Sequence, residues 1–234
     1  MVVCVLMSGG TLGAQAAASF DQDHADWTEI LASRVHDGGL VDYRGLRRDR
    51  RAFDAYLAAL ESVTAEDLQG WSAPQRQAFW INAYNAFAAQ LVLDHAPEES
   101  IRELGELEHD ILAKQSGTPL FHFAAVCAST SCPALRPAAY TGAELDRQLE
   151  ARARLFLADP AKNDPRVVGG RLPVSKIFDW AEDEWGQYPG GVRAILREFG
   201  PASWTEDAAF AAARLKYRSY DWSLNRWSPK DSTP

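Results

Sequence analysis

Cysteine is scarce in this chain, with three among 234 residues, and methionine scarcer still, with two. That excludes a disulfide-dense mini-scaffold, whose small core depends on many bridges. Positive charge is the minority sign: 24 Lys and Arg stand against 32 Asp and Glu, a formal net charge of −8. This balance excludes the broad basic face that nucleic acid requires, and it disfavours adhesion to an anionic membrane surface. No apolar run is long enough to span a bilayer. No glycine-rich phosphate loop, no Gly-x-Ser-x-Gly and no His-Glu-x-x-His is present, so no cofactor is expected.

What is present suffices for a large core. Hydrophobic residues make up 47% of the chain and charged residues 24%, which is ordinary for a globular domain. The length fits one domain. The first twenty residues, Met1 to Phe20, carry no charge, and Ala14-Gln15-Ala16 has the A-x-A form of a signal-peptidase site. Residues 1–18 are therefore expected to be a leader on an exported protein, periplasmic or secreted, with 19–234 as the domain. Removal of the leader takes Cys4 and leaves Cys127 and Cys132.

Apolar periodicity gives helices over 26–35, 47–62 and 75–95, with a short one after Thr64. The 75–95 helix is apolar nearly all round, as a central buried helix is. A further helix is expected over 100–114. Leu120 to Cys127 reads as a strand. Thr141 and Glu144 form the capping-box pattern for a helix to about Leu157. Val167 to Val174 reads as a hairpin with Gly169-Gly170 at its tip. Helices over 175–185 and 190–199 and a last strand over 215–222 complete the chain. The fold class is α+β: a helix-rich single domain with a small, mainly antiparallel sheet.

The stretch from His122 to Pro133 concentrates the reactive side chains. Cys127 has three readings: a nucleophile, half of a disulfide with Cys132, or a small buried hydrophobe. A nucleophilic thiol needs a base and a group to orient it. His122 lies five residues from Cys127. On a strand that is roughly 16 Å, on the opposite face. His109, on the preceding helix, is the better base, with Glu108 or Asn85 as orienter. A fourth reading joins His109, His122, Cys127 and Cys132 as zinc ligands; the thiol readings need no metal. Asn82 and Asn85 share a helix face and need partners if buried. They either serve a site or tie down loop backbone. Lys176, at a helix start, could reach an anionic group.

The ordered blocks Val41-Asp42-Tyr43, Phe79-Trp80-Ile81-Asn82-Ala83-Tyr84-Asn85, Glu108-His109-Asp110-Ile111-Leu112 and His122 to Cys127 closely resemble the family DUF547. So do Ser131-Cys132-Pro133-Ala134-Leu135, Ala139-Tyr140-Thr141, Ser175-Lys176-Ile177-Phe178-Asp179-Trp180 and Tyr220-Asp221-Trp222-Ser223-Leu224-Asn225. The resemblance runs from about Trp27 to Asn225. It implies a fold related to papain-like and transglutaminase-like thiol enzymes, and it favours Cys127 as nucleophile with His109 as base. Glu108 or Asn85 would orient the base, and N–H groups of the Ala128–Ser131 loop would hold an oxyanion. Asn82, His122, Ser129, Ser131, Cys132 and Lys176 would line the substrate. The reaction would be hydrolysis or acyl transfer on a peptide-like or small-thiol compound, such as a γ-glutamyl one. The alternative is a non-enzymatic periplasmic binding or scaffold protein with a structural cysteine pair.

Overall fold

A computed structural model describes residues 19–95, 117–164 and 166–229. The N-terminal part is mainly helical: α1 (Ala25–Arg34), α2 (Tyr43–Arg48), α3 (Arg51–Glu61), α4 (Ala65–Gly70) and α5 (Ala73–His95). The 47–62 pattern is thus two helices, interrupted at Asp49-Arg50. Asp42 causes the early start of α2, because its carboxylate accepts the Gly45 N–H at 2.8 Å and so caps it. The expected stripe on α3 holds: Phe53, Tyr56, Leu57 and Leu60 are all buried. The helix expected over 100–114 lies outside the described residues.

α5 is the central helix, and it divides the interior. Phe79, Ala83, Ala86, Ala89 and Val92 face a core with Trp27, Leu31, Phe53 and Tyr56. Ala78, Ile81 and Tyr84 face a second core with Phe123, Phe156, Phe178, Trp185 and Trp204. Trp80 packs against both.

The segment read as a strand over 120–127 is instead a 3-10 helix, Pro119–Phe123, with all five residues buried. Thr118 accepts the Leu120 N–H at 3.3 Å, and Pro119 fits a first helical turn, where its missing N–H costs nothing. An unbroken apolar run does not distinguish a buried strand from a buried helical turn. The following helix, α6 (Leu145–Ala158), starts at Leu145 with Glu144 at its N-cap and no side-chain cap bond. The Thr141/Glu144 capping box therefore does not form.

After α6 the elements are short: β1 (Arg171–Val174), α7 (Ile177–Trp180), α8 (Glu182–Trp185), α9 (Gly191–Phe199), α10 (Ala202–Glu206) and β2 (Arg214–Tyr217). β1 and β2 pair in parallel, Leu172 opposite Leu215 and Val174 opposite Tyr217. This corrects the expected antiparallel sheet. The chain runs through α7 to α10 between the strands, and a crossover of that kind returns the second strand parallel. The Gly169-Gly170 tip is present, with φ of 56° and 69°, but its first arm is only a bridge from Val168 to Arg171. Among the described residues, no helix is long and apolar enough to cross a membrane.

Candidate functional site

The two helix asparagines build the floor of the site. Asn85, 3% exposed, donates to the Ala124 carbonyl at 3.0 Å and accepts the Val126 N–H at 2.9 Å. Asn82, fully buried, does the same for one residue: it donates to the Tyr140 carbonyl at 2.8 Å and accepts the Tyr140 N–H at 2.9 Å. Each amide imitates a backbone partner and satisfies polar groups that would be costly to bury alone. Through them α5 fixes the entry to the cysteine loop at 124–126 and the exit beyond it at 140.

Between these anchors Cys127 and Cys132 are joined by a disulfide, with Cα atoms 6.1 Å apart. The cystine is 8% and 5% exposed at its two ends. Ala128 has φ 61°, which turns the chain sharply after Cys127. Beneath the loop, Gly39, at φ 76°, lies so close that a Cβ there would meet the backbone of Ala134 and Leu135 at 2.5–2.6 Å. Only glycine provides both that φ and that clearance.

The far side of the loop is strapped to 221–225. Thr130 N–H donates to the Ser223 carbonyl at 2.7 Å, Ser131 N–H to the Asp221 carbonyl at 3.1 Å, and Asn225 N–H to the Ala128 carbonyl at 2.9 Å. Ser131 Oγ accepts the Asp221 N–H at 2.8 Å. The Asp221 carboxyl is held below its usual range by bonds from Ser223. The Thr130 and Ser131 N–H groups expected to hold an oxyanion are thus engaged with these carbonyls.

Two hydroxyls meet the cystine. Ser129 Oγ lies 3.2 Å and Tyr220 Oη 3.4 Å from Cys127 Sγ, and Ser129 donates to Tyr220 at 3.1 Å. Tyr220 in turn packs with Trp180 and Trp222, with ring centroids 4.6–5.3 Å apart. Trp180 is 43% exposed, so the cystine sits under an aromatic surface patch. Lys176, just before α7 and read as able to reach an anionic group, pairs with the Asp179 carboxylate at 2.8 Å.

Sequence reasoning named Cys127, Ser129, Ser131 and Cys132 as candidates, and the four lie on one loop. It missed Tyr220, Trp180 and Trp222 as neighbours of that loop. The only sequence signal for them was their presence in the Ser175–Trp180 and Tyr220–Asn225 blocks. His122 belongs to the other core, with its ring 4.0 Å from Phe121 and 4.8 Å from Trp185, while the cystine belongs to the core of α1 to α3. His109 and Glu108 lie outside the described residues. The four-ligand zinc reading loses its sulfurs, because a disulfide offers no thiolate. Among the described residues no group of three or more His, Cys, Asp or Glu is placed to hold a metal ion.

Residues 68–157 match the family model described as "Protein of unknown function, DUF547". The match spans the end of α4, all of α5, the cysteine loop and nearly all of α6, and over these residues it shows the family resemblance. No curated protein and no solved structure matches the chain.

Proposed function

We propose that this chain is an exported, non-catalytic binding or scaffold protein whose Cys127–Cys132 bridge is structural. The observation that carries this is the disulfide itself. A nucleophile must be a free thiolate, and here both sulfurs are consumed in bracing a loop that Asn82, Asn85 and the 221–225 strap already hold. Persistence of the bridge fits an oxidising compartment, which agrees with the leader expected over residues 1–18, uncharged and carrying Ala14-Gln15-Ala16. The aromatic patch of Trp180, Tyr220 and Trp222 beside the loop gives it a face for a peptide-like or small-thiol ligand.

A second reading has one specific observation in its favour. The Ser129 and Tyr220 hydroxyls stand within 3.4 Å of Cys127 Sγ. After reduction they could donate to a Cys127 thiolate and lower its pKa. Under that reading the protein is a thiol-dependent hydrolase or acyl transferase related to papain-like enzymes, with His109 as base and a γ-glutamyl or other peptide-like substrate. The separating experiment is alkylation of protein purified without reductant, read by intact mass and peptide mapping, then repeated after mild reduction across pH 5 to 9. The binding reading expects no labelling of Cys127 or Cys132 before reduction, and afterwards ordinary labelling that rises toward the usual thiol pKa of about 8.5. Rapid labelling of Cys127 at or below neutral pH, abolished by Cys127→Ser, would overturn it in favour of the enzyme.

A further inference from the structure

α2 is six residues long and carries three arginines, Arg44, Arg47 and Arg48. Arg47 is committed to the fold: its Nη2 donates to the Leu93 carbonyl at 2.6 Å. Arg44 and Arg48 are not. They stand four apart, on one helix face, and line a cavity of about 710 Å³ together with Arg226, Trp227 and Asp42. That volume lies within the range of small-molecule sites.

The charges of this cavity are unusual for a chain of net charge −8. Among the described residues, no carboxylate pairs with Arg44, Arg48 or Arg226. Asp42, the one acid in the lining, is already engaged. One oxygen accepts the Gly45 N–H at 2.8 Å and the other lies 3.7 Å from Arg34. Three exposed arginines therefore line one cavity whose lining holds no free carboxylate. Such a run of one sign leaves an opposite charge to be supplied by solvent ions or by a ligand.

The arginines are held together by rigid backbone. Val41 N–H donates to the Asn225 carbonyl, and Trp227 N–H donates to the Val41 carbonyl, both at 2.9 Å. Val41 and Arg226 form a parallel bridge. Inside, Tyr43 Oη donates to Asn225 Oδ1 at 2.7 Å. Trp227 is fixed by stacking on His36, with centroids 4.0 Å apart and planes at 10°. The segment bearing Arg226 and the helix bearing Arg44 and Arg48 are thus locked to each other before any ligand arrives. Guanidinium is the side chain whose planar fork matches phosphate and carboxylate oxygens two at a time.

We propose that this cavity is an oxyanion site, taking a small ligand that carries two or more phosphate or carboxylate groups against Arg44, Arg48 and Arg226, beside the Trp227 ring. The site shares no lining residue with the cystine loop. A reactive Cys127 would overturn the binding reading above and leave the anion titration unchanged.

The test is calorimetric titration of the full chain with inorganic pyrophosphate and with citrate, alongside flotation with phosphatidylcholine vesicles with and without phosphatidic acid. Saturable binding of a free anion is expected. Each of Arg44→Gln, Arg48→Gln and Arg226→Gln should weaken it by about tenfold or more, as loss of a charge-assisted contact does. Arg197→Gln, an exposed arginine on α9, should leave it unchanged, and Arg226→Lys should recover part of the loss. Binding to phosphatidic acid vesicles alone, removed by the same three variants, would support the same oxyanion chemistry with a lipid headgroup as its source. No binding to any probe, or binding indifferent to the three arginine variants while circular dichroism shows them folded, would overturn the proposal.

Discussion

The two cores on either side of α5 solve the same problem by different means. The core of α1 to α3 is made of regular helices, which bring their own backbone hydrogen bonds. It can therefore be filled with small residues such as Ala83, Ala86, Ala88 and Ala89, and it buries polar pairs: His24 with Tyr56 at 2.7 Å and Tyr43 with Asn225. The C-terminal core is made largely of pieces four or five residues long, too short to persist alone. Large rings hold it instead, and two of them also serve the backbone. Trp185 Nε1 donates to the Ile177 carbonyl at 3.0 Å, and Trp204 Nε1 to the Asp164 carbonyl at 2.8 Å. Where local structure is weak, the side chain takes over the backbone's hydrogen-bonding duty as well as the packing.

If the polar pairs belong to the first core alone, that core should make the protein sensitive to acid. Burial holds the His24 imidazole down to about 4 from an ordinary 6.5, with the Asp21 carboxylate opposing the shift. Between those two values the unfolded chain binds the proton and the folded chain does not. Stability is therefore complete above about pH 6.5 and falls as the pH drops toward 4, by as much as about 3 kcal/mol. Urea unfolding at a series of pH values should show this slope. His24→Asn should flatten it, since asparagine tolerates the left-handed backbone found here, φ 51°. An undiminished slope in the variant would remove His24 as the cause.

The indole groups give a sharper contrast. Trp27 is as buried as Trp204, at 1% and 0% exposure, yet its Nε1 has no hydrogen-bond partner among the described residues. It contributes by stacking on Tyr56, with centroids 5.3 Å apart and planes at 4°. Trp27→Phe keeps a ring there and leaves no acceptor behind. Trp204→Phe removes the donor to Asp164. The second substitution should cost about 1–2 kcal/mol more than the first in urea-derived stability, the hydrogen-bond contribution superimposed on similar packing losses. Equal costs would mean that the indole bonds are incidental and that both cores rest on packing alone.

The same division explains what could be read from the sequence. Helical stripes are local and periodic, so α1, α3, α5, α6 and α9 were legible, as was the Gly169-Gly170 turn. The strand expected at 120–127 failed because its apolar run had no alternation, and the sheet direction failed because parallel pairing depends on a partner some forty residues away. The cysteine loop was legible as a cluster. Its contacts with Tyr220, Trp180 and Trp222 were not, because they arise only when α7 and the 220–225 segment meet across the fold. The arginines of the cavity were invisible for another reason. Arg44 and Arg48 lie far from Arg226 in sequence, and the net charge pointed the opposite way.

Helix starts carry the comparison to its smallest scale. Thr64 and Asp67 form a complete capping box at α4: Asp67 N–H donates to Thr64 Oγ1 at 3.1 Å, and Thr64 N–H donates to Asp67 Oδ2 at 2.9 Å. α4 contributes Leu68 to the edge of the first core. At α6, on the second core, Thr141 stands in the same sequence pattern but contributes through its backbone: its carbonyl accepts the Glu144 N–H at 3.2 Å and its N–H donates to Gln148 Oε1 at 3.1 Å. α6 needs no such cap, because Leu145, Leu149, Ala153 and Phe156 anchor it by packing. Thr64→Ala should therefore lower stability by about 1 kcal/mol, while Thr141→Ala should stay within about 0.5 kcal/mol of the parent. Thermal unfolding of the two variants side by side measures the difference. If Thr141→Ala were the costlier, side-chain capping would matter more where packing is heavy, and the division of labour between the two cores would have to be redrawn.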